Sequence, residues 1–226
     1  MFSDKAFNFL VNFPVDSDLP GGVGTINPYL NKTTSDISKT FFNKFFHDNN
    51  KRVFFFGINP GRFGGGLTGI SFTDPVALSE CCGIPNNLGT KKELSSDFIY
   101  SVINEFGGAD KFYKRFFLTA LYPLALVKDG KNFNYYDNSQ IFDKLKDSIA
   151  LSIKGQTDFG ADRSVVISLG KKNGDYLAKF NKELKLFSHI EILEHPRYIM
   201  QYKRKSMRKY IDDYLNVLNK YSLPSV

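Results

Sequence analysis

The chain has 226 residues, with 30 basic against 23 acidic side chains, a formal charge of +7 and a pI near 9.2. This length fits one compact domain over residues 1–226, with a helical region over 1–50 packed on it, and requires no metal or disulfide staple. The longest apolar run, residues 120–127, falls far short of the roughly 18 residues of a membrane span. Residues 1–5 carry no secretory pattern, so a cytoplasmic protein without membrane contact is expected.

In chain order, helical periodicity begins with Ile37, Phe41, Phe42, Phe45 and Phe46, after Thr33, Thr34 and Ser35 as candidate caps. Residues 52–58 read as a strand apolar on both faces. Cys81 and Cys82 are the only cysteines. Neighbouring Cα atoms lie about 3.8 Å apart, too close for a relaxed disulfide, and no histidine is near for zinc, so two buried reduced thiols are expected. Phe98, Ile99, Val102, Ile103 and Phe106 mark a helix ended by Gly107 and Gly108. A second strand covers 116–121, stopped by Pro123. Ile141, Phe142, Leu145 and Ile149 give another helix, residues 164–169 a third strand closed by Gly170. Tyr176, Leu177 and Phe180 suit a short helix, and 187–193 a fourth strand. The last helix turns Tyr210, Ile211, Tyr214, Leu215 and Leu218 inward.

Strands that alternate with helices and are continuously hydrophobic indicate a parallel sheet covered on both faces, the α/β class. Ligands in such folds gather beyond the carboxyl ends of the strands, here just after Ile58, Leu121, Leu169 and Leu193.

After the first strand runs Gly57-Ile58-Asn59-Pro60-Gly61-Arg62-Phe63-Gly64-Gly65-Gly66-Leu67-Thr68-Gly69-Ile70-Ser71-Phe72. Residues 64–69 formally match the dinucleotide fingerprint, but the first glycine lies well past the strand and no helix starts promptly after the last. No phosphate-binding P-loop occurs either. The plain alternative is an awkward turn. Glycine, however, lets backbone approach a flat ligand, Phe offers a stacking face, and an Asn amide can orient water. Thr73-Asp74-Pro75 reads as a helix cap rather than an assisting carboxylate.

After the fourth strand comes Glu194-His195-Pro196-Arg197-Tyr198. His195, held by a proline-fixed turn, can donate a hydrogen bond to an oxygen that gains negative charge. His47, at a helix end, and His189, inside the fourth strand, are expected to be structural. Residues 195–209 carry Arg197, Lys203, Arg204, Lys205, Arg208 and Lys209 without an acid. This is either a solvated helix face or a phosphate-binding surface.

Asn59-Pro60-Gly61 and Phe63-Gly64, with Thr68-Gly69 and Phe72, resemble the first motif of the single-strand-selective monofunctional uracil-DNA glycosylases. His195-Pro196 followed by Arg197 resembles the second motif of the wider uracil-DNA glycosylase superfamily. The resemblance implies a three-layer α/β/α fold with a central four-stranded parallel sheet and DNA glycosylase activity without a cofactor, in a chain acting as a monomer. Asn59 would orient the attacking water and His195 stabilise the departing base. Phe72 would stack on a flipped base, with Ile58, Pro60, Gly61, Phe63, Gly65 and Ala120 around it. Arg197 or Tyr198 would fill the vacated space, and Lys203, Arg204 and Lys205 would hold phosphates. No lysine is placed for a Schiff base, so base removal without strand cleavage is expected.

The chain also departs from the family pattern. Arg62 replaces the usual proline after Asn-Pro-Gly, the second motif is shortened, and Ala120 stands where an Asn would read the pyrimidine edge. These features resemble a divergent bacterial second subfamily. They imply a broader pocket that takes uracil and also xanthine or hypoxanthine, with Gly64, Gly65 and Gly66 adding room. Asn132 and Asn134 are candidates for a substitute amide. Two rival readings are a catalytically weak or inactive DNA-binding member of the same fold and a small-molecule nucleotide enzyme.

Overall fold

The computed structural model describes residues 1–222. The chain opens with α1 (Phe2–Val11), β1 (Gly24–Ile26), α2 (Lys32–Phe46) and β2 (Arg52–Gly57). Short helices α3 (Gly65–Thr68) and α4 (Pro75–Glu80) lead to α5 (Leu94–Phe106) and α6 (Ala109–Arg115). Next come β3 (Phe116–Ala120), β4 (Ala125–Lys128), β5 (Lys131–Phe133) and α7 (Ser139–Thr157). The last third holds β6 (Ala161–Leu169), α8 (Lys171–Leu184), β7 (Ile190–Leu193), α9 (Pro196–Tyr202) and α10 (Met207–Tyr221).

The main sheet has the order β3-β2-β6-β7, with every pairing parallel. All of β2 and β3 is buried, as expected of strands covered on both faces. Side-chain alternation sorts the two helical layers. On one face Phe54 and Phe117 meet Phe2 of α1 and Phe159 in the turn after α7. On the other Phe55 and Phe116 meet Phe106 of α5 and Phe112 of α6. With 23 phenylalanines and no tryptophan, ring-on-ring contacts run through this core beside its aliphatic residues. The four-stranded parallel sheet between helices matches the three-layer expectation.

Local chemistry explains several boundaries. Asn31, rather than Thr33, Thr34 or Ser35, caps α2, its side chain accepting the Thr34 N–H at 3.1 Å. Asp74 caps α4 by accepting the Val76 and Ala77 N–H groups, as expected. Gly107, at φ 118°, ends α5. His47 lies at the C-cap of α2. His189 lies just outside β7, which is shorter than the sequence suggests, and faces Glu191 at 3.5 Å. The helix after β6 is long, not short. Burial pushes the Cys82 thiol up to about 12, whereas Cys81 is partly exposed, so only one thiol is buried as expected.

Arg52, the first residue of β2, is fully buried. Its guanidinium forks onto both carboxylate oxygens of Asp48 at 2.8 Å and donates to the Tyr113, Asn50 and Phe45 carbonyls. It also lies over the Phe2 and Phe46 rings. The fork holds the Asp48 carboxyl below its ordinary range.

A second, antiparallel sheet, β1-β4-β5, has no counterpart in the sequence reading. Its β4–β5 hairpin turns at Asp129 and Gly130, both with positive φ (48° and 66°), the two-residue turn that suits the twist of paired strands. Among the described residues no helix is long and apolar enough to cross a membrane.

Candidate active site

Beyond the carboxyl ends of the main-sheet strands opens a cleft of about 680 Å³. Asn59, Phe72, Ala120 and His195 all line it, as do Ile58, Pro60, Gly61 and Phe63. These positions lie far apart in sequence, and the parallel sheet gathers them at one edge.

Asn59 leaves β2 half-buried and is held at both ends of its amide. Nδ2 donates to the Phe133 carbonyl at 2.9 Å, and Oδ1 accepts the Tyr135 N–H at 3.2 Å. Backbone partners cannot exchange donor for acceptor, so they fix which amide atom is which. One N–H and one lone pair remain for a water or a ligand. The hairpin and the loop after it therefore aim this residue.

The loop behind Asn59 is anchored from the N-terminal region. Thr34 Oγ1, Ser38 Oγ and the Tyr29 hydroxyl donate to the Leu67, Thr68 and Gly69 carbonyls at 3.1, 2.8 and 2.6 Å. Thr68 Oγ1 adds a bond to the Thr73 carbonyl at 2.7 Å. Phe72 follows with φ 57°, a conformation a bulky residue holds only under constraint. Its ring lies over Gly57, where an added Cβ would meet Phe72 Cζ at 2.5 Å. The glycine at the end of β2 is what lets the ring reach this place, 6.1 Å from the His195 ring.

Glu93, which no sequence motif marks, lines the cleft together with Glu194. It meets the hollow of the loop, where Gly61 and Gly64 leave no side chain, with the Phe63 and Gly64 N–H groups close by. Burial raises its carboxyl above the ordinary range, while those N–H groups and Arg197 oppose the rise. Its own N–H donates to Asp74 at 2.8 Å. Asp74 therefore positions Glu93 and does not reach into the cleft itself. No local motif marks Glu93, because its partners come from a distant loop.

The glycines do not open the pocket. Space beside Gly64 is taken by Glu93, beside Gly65 by Pro60, Ile70 and Ser71, and beside Gly66 by Gly61 and Ala125. Gly65 is buried behind the loop and does not line the cleft, contrary to expectation. Its role is close packing. The Phe63 ring sits between Arg62 and Lys91 cations, at 4.2 and 4.3 Å from its centroid. The Ile58 carbonyl is already occupied by the Tyr122 N–H.

His195 ends the turn after β7 and caps α9, with Nδ1 accepting the Arg197 N–H at 3.1 Å. That bond places the imidazole proton on Nε2. Burial first, and Arg197 second, lower its pKa to about 4, so the ring is neutral near pH 7. A neutral Nε2–H facing a cleft is a hydrogen-bond donor suited to an oxygen gaining charge. Gly170, at φ 97°, gives the ring its space, since a Cβ there would come within 3.3 Å of His195 Cβ.

Ala120 is buried and pairs with Gly57 across β2 and β3. The nearby Gln156 is committed below the sheet, donating to the Ala120 carbonyl and Ser152 and accepting from Thr119. Asn173 lines the cleft but is likewise engaged, with Phe56, Ser168 and Tyr135. Asn132 and Asn134 do reach the cleft. Asn132 Oδ1 accepts the Arg62 N–H, and Asn134 Nδ2 donates to Asp137.

Arg197 and Tyr198 line the cleft from α9, and Lys203, Arg204 and Lys205 follow it, exposed. Among the described residues none of the four cations forms an ion pair. Arg208 differs, being paired with Glu105 and Asp212. The solvated-face reading thus suits only the far end of the basic run.

Comparison with known proteins agrees with this geometry. The family described as the uracil DNA glycosylase superfamily matches residues 44–219. No curated protein matches the chain. Among solved structures, wild-type SMUG2 from Pedobacter heparinus is 40% identical, covers 97% of each chain and superposes with a TM-score of 0.92. The sheet, the strand-end cleft and the match over most of its length agree: the chain belongs to the uracil DNA glycosylase superfamily.

Proposed function

We propose that this uracil-DNA glycosylase works as a monofunctional enzyme and a monomer, and that its base pocket also admits xanthine or hypoxanthine. The reaction is hydrolysis of the N-glycosidic bond between a damaged base and its deoxyribose in DNA. The base must leave the stack first, at a cost of a few kcal/mol that is least for unpaired or mispaired sites. Phe72 then stacks on it above Gly57. As the bond breaks, its electron pair moves onto the base, and His195 Nε2–H donates to the oxygen that carries the charge. Asn59 offers its remaining lone pair to a water, whose oxygen bonds to the sugar carbon and whose proton leaves to solvent. An amide is no strong base, so leaving-group stabilisation dominates. Arg197 or Tyr198 fills the gap in the stack, and Lys203, Arg204 and Lys205 hold phosphates.

The observation that carries this reading is the neutral, Nδ1-anchored His195 in the same cleft as the doubly held Asn59. It favours turnover over a merely DNA-binding relative. The wider base range rests on Ala120, which presents a methyl where a reading amide would penalise the wrong edge. The test is excision from matched uracil, xanthine and hypoxanthine oligonucleotides, before and after alkaline treatment. Wild type should release all three, without strand breaks before alkali, and Ala120→Asn should narrow release toward uracil. Strict uracil specificity of wild type would refute the role given to Ala120.

A further inference from the structure

Tyr135 is fully buried and does not line the cleft, yet its two donors hold the ends of one hydrogen-bonded path. Its backbone N–H donates to Asn59 Oδ1 at 3.2 Å, and its hydroxyl donates to Asn173 Oδ1 at 2.9 Å. Asn173, in the first turn of α8, is buried as well. Its Nδ2 donates to the Phe56 carbonyl at 2.9 Å and to Ser168 Oγ at 3.2 Å. A carbonyl only accepts, so it fixes the Asn173 amide with Oδ1 toward Tyr135 and makes the phenol the donor. The path starts at Asn59, just past β2, and returns to β2 at Phe56.

The loop that carries Tyr135 keeps its own shape without this path. The Asn134 N–H donates to the Asp137 carboxylate at 2.9 Å, the Asp137 N–H donates to the Asn134 carbonyl at 3.0 Å, and Asn138 caps α7. Those bonds close the turn on itself. Two bonds from α8 place it against the sheet: exposed Lys172 Nζ donates to the Tyr136 carbonyl at 3.3 Å, and buried Asn173 accepts from Tyr135. The Tyr135 ring packs among Tyr136, Phe142 and Tyr176, which a phenylalanine would do equally. The hydroxyl adds a set distance, as satisfied buried networks do. Burial holds the phenol well above the ordinary tyrosine range, so it stays an O–H donor near pH 7.

We propose that Tyr135 and Asn173 are positioning residues for base excision: their hydroxyl–amide bond sets the loop against the end of β2 and thereby fixes the Asn59 lone pair that faces the attacking water. Tyr135 touches no substrate and acts through Asn59. The inference rests on the role given to Asn59 above.

The experiment follows single-turnover uracil excision, DNA affinity and the side-chain amide NMR signals of the full chain. Asn59→Ala identifies the Asn59 amide signal by its loss. Tyr135→Phe should slow excision by about 10–10²-fold, leave DNA affinity unchanged and move the Asn59 signal. Asn173→Ala should move the same signal. In the Asn59→Ala background Tyr135→Phe should cost nothing further, because residues that act as one unit are not additive. Where Asn59→Ala slows excision, three results would each overturn the inference: no slowing by Tyr135→Phe, an unmoved Asn59 signal, or equal slowing in both backgrounds. Wild-type excision by Asn59→Ala, with the signal still moved by Tyr135→Phe, would instead overturn the role given to Asn59 and leave the structural link standing.

Discussion

Replacing Asn59 by Asp tests whether the hairpin really sets this residue. The carboxylate would keep the Tyr135 N–H as a donor, now to a charged oxygen. Its other oxygen would face the Phe133 carbonyl, which Asn59 Nδ2 now meets at 2.9 Å. A lost donor and an unpaired carbonyl cost about 1–3 kcal/mol, somewhat offset by the stronger bond to Tyr135. Protonating the new carboxyl restores an O–H donor toward Phe133, so folding raises the pKa of the introduced acid. At about 1.4 kcal/mol per unit, the rise is roughly one to two units above the ordinary value near 4. An acid whose folded pKa is raised contributes most below its unfolded pKa and loses that contribution as pH climbs through the folded one. Asn59→Asp should therefore match wild type near pH 4 and lag it above about pH 6. For a chain of this size each kcal/mol shifts Tm by about 2–4 °C. Thermal melts of both proteins across that pH range are the assay. A Tm difference independent of pH, or a more stable variant at neutral pH, would refute the two-ended hold on Asn59.

Other substitutions separate roles that coincide in one residue. His195→Asn keeps a helix-capping acceptor but loses the Nε2–H, so single-turnover excision should slow by about 10²–10³ with little change in Tm. His195's lowered pKa, about 4, implies stability that is complete above about pH 6.5 and lost on acidification toward pH 4; this part of the pH–stability curve should flatten in His195→Asn. Glu93→Ala should empty the hollow beside Gly61 and Gly64 and lower stability by about 0.5–3 kcal/mol, more than Glu93→Gln, which keeps the shape; a wild-type melt for the alanine variant would remove Glu93 from the loop. Replacing Lys203, Arg204 and Lys205 with Ala should flatten the salt dependence of duplex binding by up to about 0.9 per lost contact. An unchanged slope would return them to a solvated face.

Much of the main sheet is legible in the sequence because its strands are apolar on both faces, and runs such as Val53-Phe54-Phe55-Phe56 cannot sit in water. Asn59 and His195 are legible because strand ends are where such a fold exposes polar groups. The small sheet is not, since β1 and β5 are three residues each and carry little apolar pattern. Its one clear signal is Asp129-Gly130, a hairpin dipeptide. Glu93 is hidden for another reason: it fills a hollow in a loop that only folding brings near. The mistaken idea of glycine-made room has the same source. Gly64, Gly65 and Gly66 lack side chains because neighbours distant in sequence already occupy that space.

The N-terminal anchors of the loop alter what a usable fragment of this enzyme would be. The family match begins at residue 44, after Tyr29, Thr34 and Ser38. A chain trimmed to the match would retain every strand of the main sheet and every side chain assigned to chemistry. It would also strip three hydroxyl donors from the Leu67, Thr68 and Gly69 carbonyls. Phe72's strained backbone would then lose much of what holds it, and the ring would no longer be confined above Gly57. The trimmed chain would also bare the sheet face that Phe2 and Phe42 cover at Phe54 and Phe117, so such a fragment is expected to fold poorly as well as excise poorly, for causes that lie outside the matched segment.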